Sequence, residues 1–146
     1  MSASSSPTSG GLASVDLFRG IEPKDLQRLE GLAKRRTYEP GQVIIREHEG
    51  GIGFFLIISG RVRVVHQSKD GEERELATMG AGQTFGEMAL FSDWARRSAT
   101  VSALEPTECL VLHRLDFLEH LRKHPDIAIR LLDTLSRRLN AAQQQL

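Results

Sequence analysis

Cysteine is almost missing from this 146-residue chain, whose single Cys109 excludes an internal disulfide. The apolar residues around it, Leu110-Val111-Leu112, predict a buried and unreactive thiol. No apolar run approaches the roughly 20 residues that a membrane-spanning helix needs. The Ser-, Gly- and Pro-rich start lacks the apolar core of a signal peptide. We therefore expect a cytoplasmic protein that does not bind a membrane.

An excess of charge of either sign is also missing. The chain has 19 basic and 19 acidic residues, so its formal net charge is zero. Non-specific binding to nucleic acid relies on a basic surface, which this balance does not provide. We expect no direct contact between this chain and DNA or RNA.

Catalytic motifs are scarce too. The five histidines include no His-x-His pair of the kind that metal-dependent β-barrel enzymes use: they are His48, His66, His113, His120 and His124. No serine lies in a Gly-x-Ser-x-Gly elbow. These absences argue against an enzyme and against a metal site, and we expect neither.

The middle of the chain has the pattern of an all-β domain. We predict a disordered tail over residues 1–13 and one domain over 14–146, with a helical turn at Ser14–Gly20 and a helix at Glu22–Leu32. Short Val-, Ile- and Phe-rich runs then alternate with Gly turns up to His113. The predicted strands are Gln42–Ile45, Phe54–Ser59, Arg61–Gln67, Arg74–Met79, Ser98–Ala103 and Cys109–His113. This indicates a mainly β fold with flanking α-helices, an antiparallel, jelly-roll-like β-roll over about 35–113.

The last part, about 114–145, is predicted to be helical. One helix covers Leu115–Arg122, and a longer one runs from Pro125 toward Gln144. Leucines and alanine spaced by three and four residues predict a seam for a homodimer: Leu132, Leu135, Leu139, Ala142 and Leu146. Three other residues of the longer helix are expected to pack back onto the roll: Ile127, Ile129 and Leu131. The alternative is a single helix lying on its own domain.

The most informative stretch is Phe85-Gly86-Glu87-Met88-Ala89-Leu90, with Arg97-Ser98-Ala99-Thr100-Val101 following after six residues. A turn that leads into a helix N-terminus presents free N–H groups to an anion. An arginine brought to the same point adds a bidentate fork for phosphate. The Glu87 carboxylate is tolerable there only if it pairs with the arginine or accepts a hydrogen bond from a ligand hydroxyl. Together these groups suit a sugar phosphate.

From about Leu17 to Leu146 the chain resembles the cyclic-nucleotide-binding domain family, a β-roll flanked by helices in bacterial catabolite-activator-type regulators, kinase regulatory subunits and gated channels. The specific part is Phe85 to Val101, which resembles that family's phosphate-binding cassette. The ten-residue spacing from Glu87 to Arg97 is that of the bacterial regulators. The turns at Gly60 and Gly82 also fit.

The resemblance implies a role for each matching residue. Phe85 and the backbone of Gly86, Glu87, Met88 and Ala89 form the cassette, which with the Arg97 guanidinium would hold the cyclic phosphate. Glu87 would accept the ribose 2′-hydroxyl, and Ser98 would donate to the phosphate or the base. Val64 and Leu76 would line the apolar side of the base.

The sequence departs from the family at two places. Gly51-Ile52-Gly53 stands where an acidic residue is common, and Ala142-Gln143 stands where the catabolite activator has the Thr-Ser pair that reads adenine. We expect a non-catalytic sensor without a cofactor, for which cAMP is the first ligand and cGMP the second, and which moves or dimerises its last helix and can act on a protein partner. Two alternatives stay open: a ligand-free interaction module of the same fold, and the sensor half of a DNA-binding regulator. We do not expect this chain to include the winged-helix domain that normally follows in such regulators.

Overall fold

A computed structural model describes residues 11–48, 53–91 and 99–145. Two four-stranded antiparallel sheets form a roll, and helices flank it. The first sheet has the order β1-β8-β3-β6 and the second has the order β2-β7-β4-β5. The predicted β-roll with N-terminal helices and a long C-terminal helix is confirmed.

The strands are short and mostly follow the predicted turns. Their bounds are β1 Lys34–Tyr38, β2 Val43–Ile45, β3 Gly53–Ser59, β4 Arg61–Gln67, β5 Glu73–Gly80, β6 Thr84–Phe85, β7 Thr100–Ala103 and β8 Thr107–His113.

Helices stand before and after the roll. Helix α1 covers Pro23–Leu32, α2 covers Arg114–Lys123 and α3 covers Pro125–Gln144, with proline in the first turn of α1 and α3. Three 3-10 turns lie at Leu12–Ser14, Asp16–Phe18 and Glu87–Leu90. Leu12, inside the segment predicted as a tail, is buried. None of the helices in the described ranges is long and apolar enough to span a membrane.

Strands β3 and β8 are buried on both faces, which explains their continuous apolar runs. Alternate side chains of a strand point to opposite faces. Phe54 and Leu56 therefore pack under the helices, whereas Phe55 and Ile57 point between the sheets. The first group belongs to the helix-side core: Leu12, Val15, Leu17, Phe18, Ile21, Leu26, Leu29, Phe54, Leu56, Leu90, Leu110, Leu112, Phe117, Ile127 and Leu131. The second group belongs to the roll-side core: Ile45, Phe55, Ile57, Val62, Val101, Cys109 and Val111.

Cys109 is buried as predicted. Burial raises the pKa of its thiol to about 12, with the Glu108 carboxylate adding to the effect. Thiolates are the reactive form, so this cysteine is inert near neutral pH.

The turn between β3 and β4 requires glycine. Gly60 has a φ of +97°, and a Cβ there would lie 2.4 Å from Thr107 Oγ1 and 2.5 Å from the Pro106 carbonyl oxygen. No side chain fits in that space. The turn crosses from the first sheet to the second, and it brings the start of β4 close to the start of β8, where Thr107 Oγ1 donates to the Arg61 carbonyl oxygen at 3.2 Å.

Helix α3 faces the roll differently from the prediction. Ile127 and Leu131 are buried and Leu135 packs against the helix-side core, as residues four apart on one face should. The prediction that Ile129 packs back onto the roll was wrong, since Ile129 is 66% exposed. A residue two positions after Ile127 lies on nearly the opposite side of the helix. The exposed apolar side chains of α3 are Ile129, Leu132 and Leu139.

Candidate functional site

The glycine turn after β6 is fixed by apolar contacts on both sides. Phe85 pairs with Phe55 in the β3–β6 ladder, and their rings stack with centroids 4.8 Å apart. Gly86 has a φ of +84°, a left-handed conformation that strains residues with a Cβ. The chain can therefore leave the strand and enter the next turn within one residue.

The segment after Gly86 is a single 3-10 turn, Glu87–Leu90, and not the start of a longer helix. The Ala89 N–H donates to the Gly86 carbonyl oxygen at 3.1 Å. Ala89 and Leu90 are buried, whereas the Met88 side chain is 60% exposed. So short a turn adds little helix dipole, and its contribution to anion binding would come from individual N–H groups.

The turn is also attached to α2. Phe91, which ends it, packs edge-on against Phe117, with ring centroids 5.8 Å apart. Leu90 belongs to the same helix-side core. The backbone of Gly86 to Ala89 is thereby held between β3 and α2.

Glu87 is paired with an arginine that the sequence analysis did not single out. Arg138 on α3 donates from Nη1 to Glu87 Oε1 at 2.6 Å. The same guanidinium donates from Nη2 and Nε to Asp16 Oδ2, at 3.0 and 3.3 Å. One side chain therefore joins the turn, the last helix and the N-terminal segment.

This pair lies only partly in solvent. The side chains of Arg138 and Glu87 are 36% and 29% exposed. The hydrogen bond to the Glu87 carboxylate, with a smaller one to Asp16, raises the pKa of Arg138 above its ordinary value. The helical spacing could have predicted that Arg138 faces the domain. It lies seven residues, or two turns, after the buried Leu131 and therefore on the same face of α3.

The two predicted base-lining residues are not equivalent. Val64 is half-buried and packs against the roll-side core, as does Phe85. Leu76 is 53% exposed on the edge strand β5, at a register shift where Val64 pairs with Ala77 and Val65 with Glu75. The structure brings Val64 and Phe85 to one cluster, but it does not bring Leu76 there.

Arg97 and Ser98 lie outside the described residues. Strand β7 begins at Thr100, two residues after Ser98, and Val101 pairs with Val64. Within the described ranges, no three His, Cys, Asp or Glu side chains are grouped so that they could hold a metal ion.

A comparison with protein-family models assigns this β-roll to a family. The model of the cyclic nucleotide-binding domain matches residues 35–124, from β1 to the end of α2. The chain belongs to the cyclic nucleotide-binding domain family. The Glu87 turn lies inside the matched residues, and Arg138 lies beyond them.

Relatives of this cyclic nucleotide-binding domain include bacterial regulators. The cyclic AMP receptor protein of Thermus thermophilus is 38% identical over 130 residues, which are 89% of this chain and 60% of that protein. The chain thus spans about 60% of the length of this relative.

Solved structures of bacterial regulators have a similar fold. The catabolite activator protein of Thermus thermophilus has a TM-score of 0.71 at 37% identity, covering 89% of this chain and 61% of that one. The N-terminal domain of a transcriptional regulator from Streptomyces coelicolor has a TM-score of 0.83 at 27% identity, covering 90% of both chains.

Proposed function

We propose that this domain is a cytoplasmic cyclic-nucleotide sensor without catalytic activity, with cAMP as the first ligand and cGMP as the second. The observation that carries this proposal is the Glu87 turn, held at the roll by Phe85 and Leu90 and joined to α3 through Arg138. The similarity to the cyclic AMP receptor protein of Thermus thermophilus supports cAMP as the first choice.

The ligand's sugar phosphate is assigned to the cassette. In this proposal the backbone of Gly86 to Ala89 and the side chains of Arg97 and Ser98 hold the cyclic phosphate. Val64 covers the apolar side of the base from inside the roll, whereas Leu76, exposed on the edge strand β5, would have to turn inward to reach it. Residues 14–146 act as one unit, to which the buried Leu12 also contributes.

Among the described residues, Arg138 occupies one oxygen of Glu87, and we assign the other oxygen to the ribose. Arg138 donates to Oε1, and the described residues place no donor on Oε2. A 2′-hydroxyl on Oε2 would leave the ion pair in place. Glu87 would then contact the ligand and α3 at the same time.

That shared carboxylate gives the sensor a physical route for its output. A ligand that orients Glu87 stabilises the position of α3 in which Arg138 reaches it, and so shifts the population of helix positions. Such a shift requires only a difference in ligand affinity between the two positions. The output would be a changed contact of α3 with a second copy or with another protein, including the remaining part of a DNA-binding regulator.

The second copy is the partner that α3 fits best. Ile129, Leu132 and Leu139 form an exposed apolar stripe that spans eleven residues of the helix. We expect Leu132→Glu with Leu139→Glu to give a monomer in sedimentation equilibrium. The matched control is Leu115→Glu on α2, where an equally exposed leucine (73%) lies off the stripe. A parent chain that is already monomeric with and without cAMP would rule out this output.

The sensing role is tested with the ribose hydroxyl. The parent is expected to bind 2′-deoxy-cAMP about tenfold or more weaker than cAMP in calorimetry, because a hydrogen bond to a charged group contributes about 1.5–3 kcal/mol. In Glu87→Gln this difference should shrink to a few-fold. Equal affinity of the parent for both nucleotides would remove Glu87 from the ligand site. An absence of binding for any cyclic nucleotide would favour an interaction module of the same fold.

A further inference from the structure

A cleft that does not include Arg138 or Glu87 lies where strands β2, β4, β5 and β7 meet at one end. It has a volume of about 690 Å³, which is in the range of small-molecule sites. It is formed by the end of β2, the β4–β5 hairpin and the start of β7. Its lining residues are Arg46, Glu47, His48, His66, Gln67, Ser68, Lys69, Gly71 and Thr100. None of them belongs to the proposed nucleotide site.

The single carboxylate of this cleft is turned inward. The Glu47 side chain is only 7% exposed. Its Oε1 accepts from the Gln67 N–H at 3.0 Å, and its Oε2 lies 2.5 Å from His66 Nδ1. The backbone hydrogen bond from Gln67, followed by the contact with His66, lowers the pKa of Glu47, which keeps it ionised near neutral pH. Its negative charge is therefore already compensated from within the protein.

The basic side chains of the cleft are exposed to solvent. Arg46 and Lys69 are exposed, and neither forms an ion pair with any residue in the described ranges. His48 is 80% exposed and lies 3.5 Å from Glu47 Oε2 through Nε2. The surface of the cleft is thus cationic, although the chain as a whole has no net charge.

The hydroxyl at the base of the cleft can also donate. Thr100 Oγ1 accepts from the Glu47 N–H at 2.9 Å, which leaves its own hydrogen available. The other hydroxyl, on Ser68, already donates to Asp70 at the tip of the hairpin. His48 has a φ of +70°, a conformation that non-glycine residues adopt uncommonly and that recurs at functional sites.

We propose that this cleft binds a small phosphate-bearing solute, independently of the cyclic-nucleotide site. Phosphate oxygens take the planar fork of Arg46 and the point charge of Lys69. They also accept hydrogen bonds from Thr100 and from the histidines.

Inorganic pyrophosphate is the probe for this site. It is titrated at pH 6.5 into the full chain, with and without saturating cAMP, while amide NMR shifts are followed. We expect shifts at Gln67, Ser68 and Thr100 in both series, and an affinity about tenfold weaker in Arg46→Gln with Lys69→Gln. The matched control, Lys24→Gln with Arg122→Gln, removes the same charge from exposed positions far from the cleft and should change affinity less than about twofold.

Three results would overturn the proposal. They are the absence of pyrophosphate binding, equal weakening in the two double variants, and displacement of pyrophosphate by cAMP. The titration without cAMP measures pyrophosphate binding to the cleft alone. The test therefore remains valid even if the domain binds no cyclic nucleotide.

Discussion

The two cores of this domain differ in size and in cover. The helix-side core has 15 buried residues. They come from the N-terminal segment, from helices α1, α2 and α3, from Leu90, and from the one face of β3 and β8 that meets the helices. The roll-side core has seven buried residues and five partly buried neighbours: Tyr38, Ile44, Val64, Met79 and Phe85. All of these neighbours except Val64 lie on edge strands. The same two strands, β3 and β8, supply both cores.

This difference suggests that the helix-side core mainly stabilises the fold, whereas the roll-side core leaves space for a ligand. A densely packed core holds its side chains in fixed positions, whereas a small core next to partly exposed residues leaves room for a ligand. The Glu87 turn lies where the two meet, since Phe85 packs on the roll side and Leu90 on the helix side. In the proposed function, a movement of the helices would reach the ligand cassette through this one short turn.

The largest expected effect is in the helix-side core. Leu112→Ala and Ile57→Ala each remove a fully buried aliphatic side chain from the same sheet. Truncations of this kind cost about 2–5 kcal/mol, and the loss is greater where the surroundings cannot close the cavity. We expect Leu112→Ala near the upper end and Ile57→Ala near the lower end in urea unfolding. Only Ile57→Ala should also weaken cAMP binding. Equal losses of stability would show that the two cores are packed alike.

A smaller effect is expected at the contact between α3 and the turn. Arg138→Gln should reduce the free energy of unfolding by about 1 kcal/mol, because its bonds to Glu87 and Asp16 are partly screened by solvent. Among the described residues, the neighbouring Arg137 pairs only with Asp133, one turn away on the same helix, and it is largely exposed. Arg137→Gln should therefore cost less than about 0.5 kcal/mol. A reversed order in thermal or urea unfolding would mean that Arg138 does not hold the helix.

The fold could be predicted because its signals are local. Strand β4 was predicted with its observed bounds, Arg61–Gln67, since period-two alternation ends at Gly turns on both sides. Strand β1 was missed because its residues, Lys34 to Tyr38, are mostly exposed and show no alternation of apolar side chains. Strand β6 has two residues, too few for any period to appear.

The site could be predicted only in part. The motif around Glu87 was visible as a cluster in the sequence, but its partner Arg138 lies 51 residues away and on another element. The predicted apolar seam of α3 was partly wrong for a related reason. Leu135 faces its own domain and Ile129 faces outward, which depends on how α3 rotates on the roll and not on spacing alone.

The central claim is that the Glu87 turn and Arg97 form one anion site for a cyclic phosphate. Calorimetric titration of cAMP into the parent, Arg97→Ala and the adjacent control Arg96→Ala tests it most directly. Loss of a charged partner to a desolvated phosphate costs about 3–5 kcal/mol, so Arg97→Ala should weaken binding by two to four orders of magnitude while Arg96→Ala stays close to the parent. If Arg97→Ala binds cAMP as tightly as the parent does, the account is contradicted.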